Sequence, residues 1–205
     1  ADDPGRQQNV FRKMLRFTSF LSFPAMFGLA LIAKEFIIIT ITDKWVSCVP
    51  ILQILCVWGA FMPVLSLYSR LILSKGKPDI FMWNSILLCV LQLTIMLLAY
   101  PYGIHVMLML FVVLNVIWLG VWQYFIWKEI RLSLWNALKD TVPFAGIATA
   151  TMVATYYITI EIGNIYLMLI AKIGLAIAIY SLAMWLSKAA IFKESIRYLT
   201  GRSRK

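Results

Sequence analysis

The chain has 205 residues, of which 62% are hydrophobic and only 14% are charged. A soluble domain is roughly 45–50% apolar, and a soluble fold of this size would leave much of that apolar surface in contact with water. The formal net charge is +10, but the basic residues are confined to short segments between apolar runs. This distribution is typical of membrane-protein loops and excludes a nucleic-acid partner.

Six apolar stretches are long enough to cross a bilayer, which takes about 20 predominantly apolar residues. They lie at about 14–40, 48–72, 80–101, 104–127, 142–160 and 163–187, with turn or polar signals between them. We therefore predict an all-α integral membrane bundle of about six transmembrane helices, with an N-terminal cytoplasmic segment at 1–13 and a basic cytoplasmic tail at 188–205. The chain begins ADDPGR, without methionine, and we expect it to be the C-terminal part of a longer protein.

The basic residues alternate between the two sides of this predicted bundle. Most fall in the N-terminal segment, the second-to-third and fourth-to-fifth connections and the tail, and they include Arg6, Arg12, Arg16, Arg70, Lys75, Lys77, Lys128, Arg131 and Lys139. The other side carries Lys34 and Lys44, nearly balanced by acidic residues. The positive-inside rule therefore predicts that both ends are cytoplasmic. In the tail, Phe192, Ile196 and Leu199 recur at helical spacing, which leaves two alternatives, an interfacial helix or a solvated basic segment.

Two predicted spans contain proline, and the first span is too long for one straight helix. Pro24 and Pro63 each remove a backbone hydrogen bond and predict kinks, either at a moving, ligand-lined region or as purely structural features. Lys34 and Glu35 lie late in the first run, and they predict a break followed by a short re-entrant or outer piece. We interpret these two charges as an interfacial pair rather than an ion site. As neighbours they point to different helix faces, so no salt bridge between them is implied.

Four amide side chains lie in the third and fourth spans, which form a tight hairpin around PYG. At 1.5 Å rise per residue, Gln92 matches Asn115 in depth, and Asn84 matches Gln123. Hydrogen bonds between the helices are one interpretation, and direct contact with a polar substrate is the other.

Lys172 lies about nine residues into the last predicted span, close to the middle of the bilayer. A charged ammonium there costs about 2.5–3.5 kcal/mol on insertion scales. Two interpretations remain open. The side chain either extends toward the outer headgroups or lines a groove that receives an anionic group.

The residues that chemistry or metal binding requires are scarce. The chain has one histidine and three cysteines, without metal-ligand spacing, and its acidic residues lie near loops or predicted span ends. No nucleophile-and-base constellation or nucleotide-binding loop is present in this stretch. We therefore predict no enzymatic activity, no cofactor and no resident metal.

The region from about 10 to 80 resembles the polysaccharide-transporter family of oligosaccharide flippases. The resemblance rests on five features. An FP..GL motif is formed by Phe23, Pro24, Gly28 and Leu29, and an acidic residue, Glu35, follows it. After these come the Lys-Trp pair Lys44 and Trp45, the P.LQIL segment from Pro50 to Leu55, and the Gly-Lys-Pro loop from Gly76 to Pro78. Asp43 stands where a glycine commonly precedes the Lys-Trp. The later spans match this family in number, spacing and polarity.

This resemblance implies the C-terminal lobe of a two-lobed flippase of the multidrug/oligosaccharidyl-lipid/polysaccharide exporter superfamily, in the bacterial inner membrane. The cargo would be an undecaprenyl-pyrophosphate-linked oligosaccharide, moved by alternating access for lipopolysaccharide, O-antigen or capsule biosynthesis. Its partners would be this cargo, membrane lipids and the N-terminal lobe of the same protein. Lys172 and Arg70 are then the candidate anion partners, and Gln92 and Asn115 are candidate polar lining.

Two alternatives stay open. A membrane-embedded transferase acting on the same lipid carrier would need catalytic residues outside this stretch. A multidrug antiporter of the same superfamily would need intramembrane carboxylates for cation coupling, and none is apparent at mid-span in the sequence. The coupling ion and the identity of the glycan are not specified by any motif.

Overall fold

The computed structural model describes residues 4–186, and these residues are almost entirely helical. Seven α-helices follow one another: α1 (Pro4–Leu31), α2 (Ala33–Thr40), α3 (Val49–Ser74), α4 (Pro78–Ala99), α5 (Ile104–Ile130), α6 (Leu134–Thr159) and α7 (Ile165–Leu186). Short 3-10 helices at Asp43–Cys48 and Tyr100–Tyr102 connect α2 to α3 and α4 to α5. The predicted tail segment with Phe192, Ile196 and Leu199 lies outside the described residues.

Six helical stretches are long and apolar enough to cross a membrane: Gly5–Leu31, Asp43–Ser74, Pro78–Tyr102, Ile104–Ile130, Leu134–Thr159 and Ile165–Leu186. The prediction of an all-α membrane bundle is therefore confirmed. Two helices begin earlier than the apolar runs suggest, α1 at Pro4 and α6 at Leu134. The added turns include charged residues that meet across the two helices, such as Arg12 and Asp140, and apolar content alone does not reveal such turns.

The first long apolar run is divided at Ile32, as its length predicted. The Ile32 backbone, with φ −93° and ψ 4°, leaves helical geometry, and α2 then starts at Ala33. The Ile32 N–H still donates to the Gly28 carbonyl at 3.1 Å, and the Phe36 N–H donates to the Ile32 carbonyl at 2.8 Å. The chain is therefore redirected at the break without leaving these two backbone donors unpaired.

Helix α1 lies at the centre of the bundle, where it packs against α3 on one side and α6 on the other. Toward its N-terminus, Phe11 and Leu15 join Tyr68, Ile72 and Trp122 in one buried cluster. Further along, Phe23 packs with residues of α3, α6 and α7, namely Ala60, Phe144, Ala148, Tyr180 and Met184. In lipid such close packing, rather than exclusion of water, holds helices together.

Candidate binding sites

A buried ion pair joins α2 to α7. Lys172 Nζ lies 2.7 Å from Glu35 Oε1, and the two side chains are 6% and 1% exposed. The interpretation of Lys34 and Glu35 as an interfacial pair is therefore wrong for Glu35, whereas Lys34 is exposed. The Lys172 side chain is held inside the bundle by Glu35. The break at Ile32 redirects α2 so that Glu35 faces α7, and two buried charges are tolerated only when they are paired.

The two members of this ion pair differ in how many further polar contacts they make. Lys172 Nζ also donates to the Leu31 carbonyl at 3.4 Å and lies 5.9 Å from the centre of the Tyr156 ring, a distance compatible with a cation–π contact. Glu35 Oε2, by contrast, is buried and has no hydrogen-bond partner among the described residues. The lysine is thus well accommodated, while one carboxylate oxygen remains unsatisfied.

An apolar groove of about 660 Å³ runs along α1 and α7 and reaches Lys172. Its walls include Pro24 and Gly28 of α1 and Ile173 and Ile177 of α7, with Met152 of α6. Among its lining residues Lys172 is the charged one. We call this cavity the α1–α7 groove. Pro24 therefore lies both inside a helix and on a cavity wall, whereas Pro63 lies inside α3 and does not line this groove.

A second cavity, of about 820 Å³, lies between α1 and α3, and we call it the α1–α3 cavity. Its polar lining consists of Arg6, Gln7, Arg70, Ser74 and Lys75, and its other residues are apolar. Lys75 Nζ donates to Gln7 Oε1. Neither arginine has an ion-pair partner within the part of the chain that the structure describes. Among the described residues, the walls of the cavity therefore carry three positive charges and no carboxylate.

A third charged cluster joins the early turns of α1 and α6. Arg12 Nε lies 2.5 Å from Asp140 Oδ2, and Arg16 Nη2 lies 2.5 Å from Asp140 Oδ1. Asp140 is buried, with 2% of its side chain exposed. Sequence reasoning missed this cluster because Asp140 precedes the apolar part of its helix. The four-residue spacing of the arginines, which places both on one helix face, was the available signal.

The amide residues of the α4–α5 hairpin follow the depth prediction only in part. Gln92 Nε2 donates to Asn115 Oδ1 at 3.0 Å, so the predicted contact is present. The proposed partnership of Asn84 with Gln123 is wrong: Asn84 Nδ2 donates to the Ile80 carbonyl at 3.0 Å, and Gln123 Nε2 donates to the Leu132 carbonyl at 2.8 Å. Equal depth does not fix the rotation of each helix about its axis.

The residues predicted as binding candidates do not form one site. Lys172 and Arg70 line different cavities, and Gln92 and Asn115 bond to each other without lining either one. Across residues 4–186, no group of three or more His, Cys, Asp or Glu side chains is arranged to hold a metal ion. The buried carboxylates of the described residues, Glu35 and Asp140, are both neutralised by basic side chains.

Comparison with known proteins gives matches to polysaccharide biosynthesis membrane proteins. The family described as polysaccharide biosynthesis protein matches residues 1–50. An uncharacterized membrane protein in the cps region of Klebsiella pneumoniae is 38% identical over 79 residues, and the lipopolysaccharide biosynthesis protein WzxC of Escherichia coli K12 is 33% identical over 79 residues. Each match covers 38% of this chain and 16% of the relative.

The teichuronic acid biosynthesis protein TuaB of Bacillus subtilis is 24% identical over 143 residues, which is 69% of this chain and 29% of that relative. The matched region is therefore less than a third of each of these relatives. No solved structure gives a significant match.

Proposed function

We propose that the chain, which is similar to polysaccharide biosynthesis membrane proteins, is a member of the polysaccharide-transporter family and forms the C-terminal lobe of a flippase for undecaprenyl-pyrophosphate-linked oligosaccharides. In this proposal the complete protein moves the cargo from the cytoplasmic to the outer leaflet of the inner membrane by alternating access. The N-terminal lobe of the same protein provides the opposite wall of the transport path.

The observation that carries the proposal is the excess of positive charge in the α1–α3 cavity. Of the residues that the structure describes, Arg6, Arg70 and Lys75 line it and no carboxylate does, and a pyrophosphate is the part of the cargo that requires cationic partners. Guanidinium groups suit phosphate oxygens because they donate two parallel hydrogen bonds. The volume of about 820 Å³ lies within the usual range of ligand pockets.

The same cavity also offers contacts for the lipid. Val10, Met14 and Leu67 form part of its apolar wall, which suits the first units of a prenyl chain. The three cations all belong to segments that the positive-inside rule assigns to the cytoplasm. We therefore propose that this cavity captures the pyrophosphate on the cytoplasmic side, where the lipid-linked oligosaccharide is assembled.

The multidrug-antiporter alternative requires intramembrane carboxylates, and the structure does contain a buried one, Glu35. Its charge is neutralised by Lys172 at 2.7 Å, however, and a paired carboxylate offers little attraction to a cationic drug. Asp140 is likewise paired, with two arginines. The pairing of both carboxylates favours an anionic cargo over a cationic drug. The transferase alternative concerns residues outside this stretch and is separated by the experiment below.

The decisive experiment compares two variants of the full-length protein in a strain that lacks it. Arg6→Gln with Arg70→Gln removes two charges from the cavity, and Lys128→Gln removes one exposed charge from the same side of the membrane as a matched control. Because a hydrogen bond to a charged group contributes about 1.5–3 kcal/mol, surface polysaccharide should fall about ten-fold or more at equal protein abundance.

The lipid-linked precursor separates the alternatives in this experiment. A flippase defect leaves complete lipid-linked oligosaccharide in the inner membrane, whereas a transferase defect leaves the precursor incomplete. Wild-type levels of surface polysaccharide in the double variant would contradict the role proposed for the α1–α3 cavity.

A further inference from the structure

We propose that Lys172 and Glu35 form a linked anion and proton site at the α1–α7 groove. An amphiphile with an anionic head group places its chain in the groove and its head group on Lys172, while Glu35 takes up one proton. This site is separate from the α1–α3 cavity, so the proposal does not depend on pyrophosphate capture there.

The groove has the shape and chemistry for such a ligand. Its lining is apolar apart from Lys172 and the hydroxyl-bearing Tyr180 and Ser181, and Tyr180 already donates its hydroxyl to the Phe20 carbonyl at 3.0 Å. An apolar chain therefore finds matching walls along α1 and α7. A single ammonium at a defined point of an apolar groove selects for one anionic group on the ligand.

In the structure the ammonium is already neutralised, which is why a proton is needed. With Lys172 Nζ 2.7 Å from Glu35 Oε1, the pair has no net charge, and an arriving anion meets a buried carboxylate of the same sign. Like charges close together in a medium of low dielectric constant strongly oppose each other. Protonation of Glu35 removes this repulsion and leaves Lys172 as the counter-ion of the ligand.

Glu35 Oε2 is the atom available for that proton, because it is buried and has no donor among the described residues. The step balances: one proton released by the buffer acid adds to Oε2, no covalent bond between heavy atoms breaks, and the anion restores the site to zero net charge. In both states Lys172 has one negative partner. The ligand anion thus replaces the Glu35 carboxylate as the counter-ion of Lys172.

No other buried charged group in the described region takes part in this exchange. The charged residues of α2 and of the following 3-10 helix, Lys34, Asp43 and Lys44, are exposed. Around α2, the 3-10 helix and α3 contribute Cys48, Val49 and Leu52 to the adjoining apolar cluster. Helix α1 offers the Leu31 carbonyl and α6 the Tyr156 ring, both in contact with Lys172. Lys172 is therefore the buried cation that faces Glu35.

Thermodynamic linkage makes the proposal measurable. If anion binding requires protonation of Glu35, then anion binding takes up a proton, and lower pH strengthens anion binding by the same coupling. For one linked proton the affinity changes by at most about ten-fold per pH unit. A site in which Lys172 and Glu35 stay paired shows neither effect.

The test uses the full-length protein in nanodiscs of zwitterionic lipid and decyl sulfate below its micellar concentration as the probe, since its head group does not titrate. Calorimetry in two buffers of different ionisation enthalpy counts protons. We expect uptake of about one proton per bound probe. This measurement needs no variant, so a folding defect cannot obscure it, and saturable binding without proton uptake would overturn the proposal.

Variants assign the effect to the two residues. Lys172→Gln should lower the affinity about ten-fold or more, since it removes a charged hydrogen-bond donor. Glu35→Gln should bind decyl sulfate without proton uptake and with no pH dependence from this site. Lys34→Gln, which removes a neighbouring exposed charge, is the matched control and should resemble wild type. Proton uptake that persists in Glu35→Gln would also overturn the proposal.

Competition identifies the source of the natural amphiphile. Displacement of decyl sulfate by farnesyl phosphate, but not by phosphatidylglycerol added to the nanodisc, assigns the groove to a prenyl-phosphate lipid. The opposite result assigns it to a bulk anionic phospholipid. Displacement by neither overturns the proposal. These outcomes leave the Arg6 and Arg70 experiment unaffected, so the two proposals fail independently.

Discussion

Arg12 Nε lies 2.5 Å from Asp140 Oδ2 and thereby joins the early part of α1 to that of α6. Arg16 reaches the other oxygen of the same carboxylate. One buried acid therefore holds two guanidinium groups at the end of the bundle where the basic residues accumulate. This arrangement explains why both helices continue beyond their apolar runs.

Replacing Asp140 with Asn should destabilise the protein by about 2–3 kcal/mol, because two arginines lose their shared anion. The measurement is thermal unfolding of the purified protein in detergent, followed by loss of monodisperse protein. Asp79→Asn is the control, since Asp79 is exposed at the start of α4. Equal melting temperatures for the two variants would show that the cluster contributes nothing to stability.

The Glu35–Lys172 pair should respond more strongly to loss of one partner than to loss of both. Lys172→Leu or Glu35→Leu alone leaves an uncompensated buried charge and should cost about 3–5 kcal/mol, whereas the double variant should be close to wild type. The same unfolding assay measures this, and Lys34→Leu is the exposed control. A double variant as unstable as the sum of the singles would contradict the pairing.

Gln92 and Asn115 should show energetic coupling in a double-mutant cycle. Gln92→Leu and Asn115→Leu each break the bond of 3.0 Å, so the double variant should lose less stability than the sum of the singles, by about 0.6–2 kcal/mol. Gln92→Leu combined with Gln123→Leu provides the control, since Gln123 bonds instead to the Leu132 carbonyl. Additive losses in the test cycle would rule out the coupling.

Labelling of single cysteines should reveal the orientation of the bundle. In a full-length variant without native cysteines, Lys44→Cys should react with a membrane-impermeant maleimide in intact spheroplasts, and Lys128→Cys should react only after permeabilisation. Both positions are exposed, so accessibility from one side decides the outcome. The reverse pattern would overturn the assignment of both ends to the cytoplasm.

The contrast between the two amide predictions shows what a sequence can and cannot fix in such a bundle. Helices α4 and α5 are joined by the short turn Tyr100–Tyr102, so counting residues from that turn placed Gln92 beside Asn115 correctly. The same count placed Asn84 beside Gln123 and failed. Farther from the turn, the rotation of each helix decides which side chains meet, and residue count carries no information on rotation.

The number and approximate extent of the membrane helices were determined by the sequence alone, because each apolar stretch must satisfy its backbone hydrogen bonds internally in lipid. Each helix meets that requirement within its own segment, so no contact between helices has to be known. A break in the first run was likewise expected, because that run is too long for one span, but its position at Ile32, just before the two charges taken as its markers, was not. The sequence alone does not show whether a charge inside such a helix is free or paired.

Only the tertiary structure decided the partners of Glu35, Lys172 and Asp140. Glu35 and Lys172 lie 137 positions apart in the chain, and their contact depends on the redirection of α2 and the docking of α7. Asp140 meets Arg12 because α6 packs along α1 from its first turns. Ion pairs between residues so far apart in the chain depend on how the helices pack. That packing is the sum of many weak contacts distributed over the whole bundle, so no single segment of the sequence predicts it.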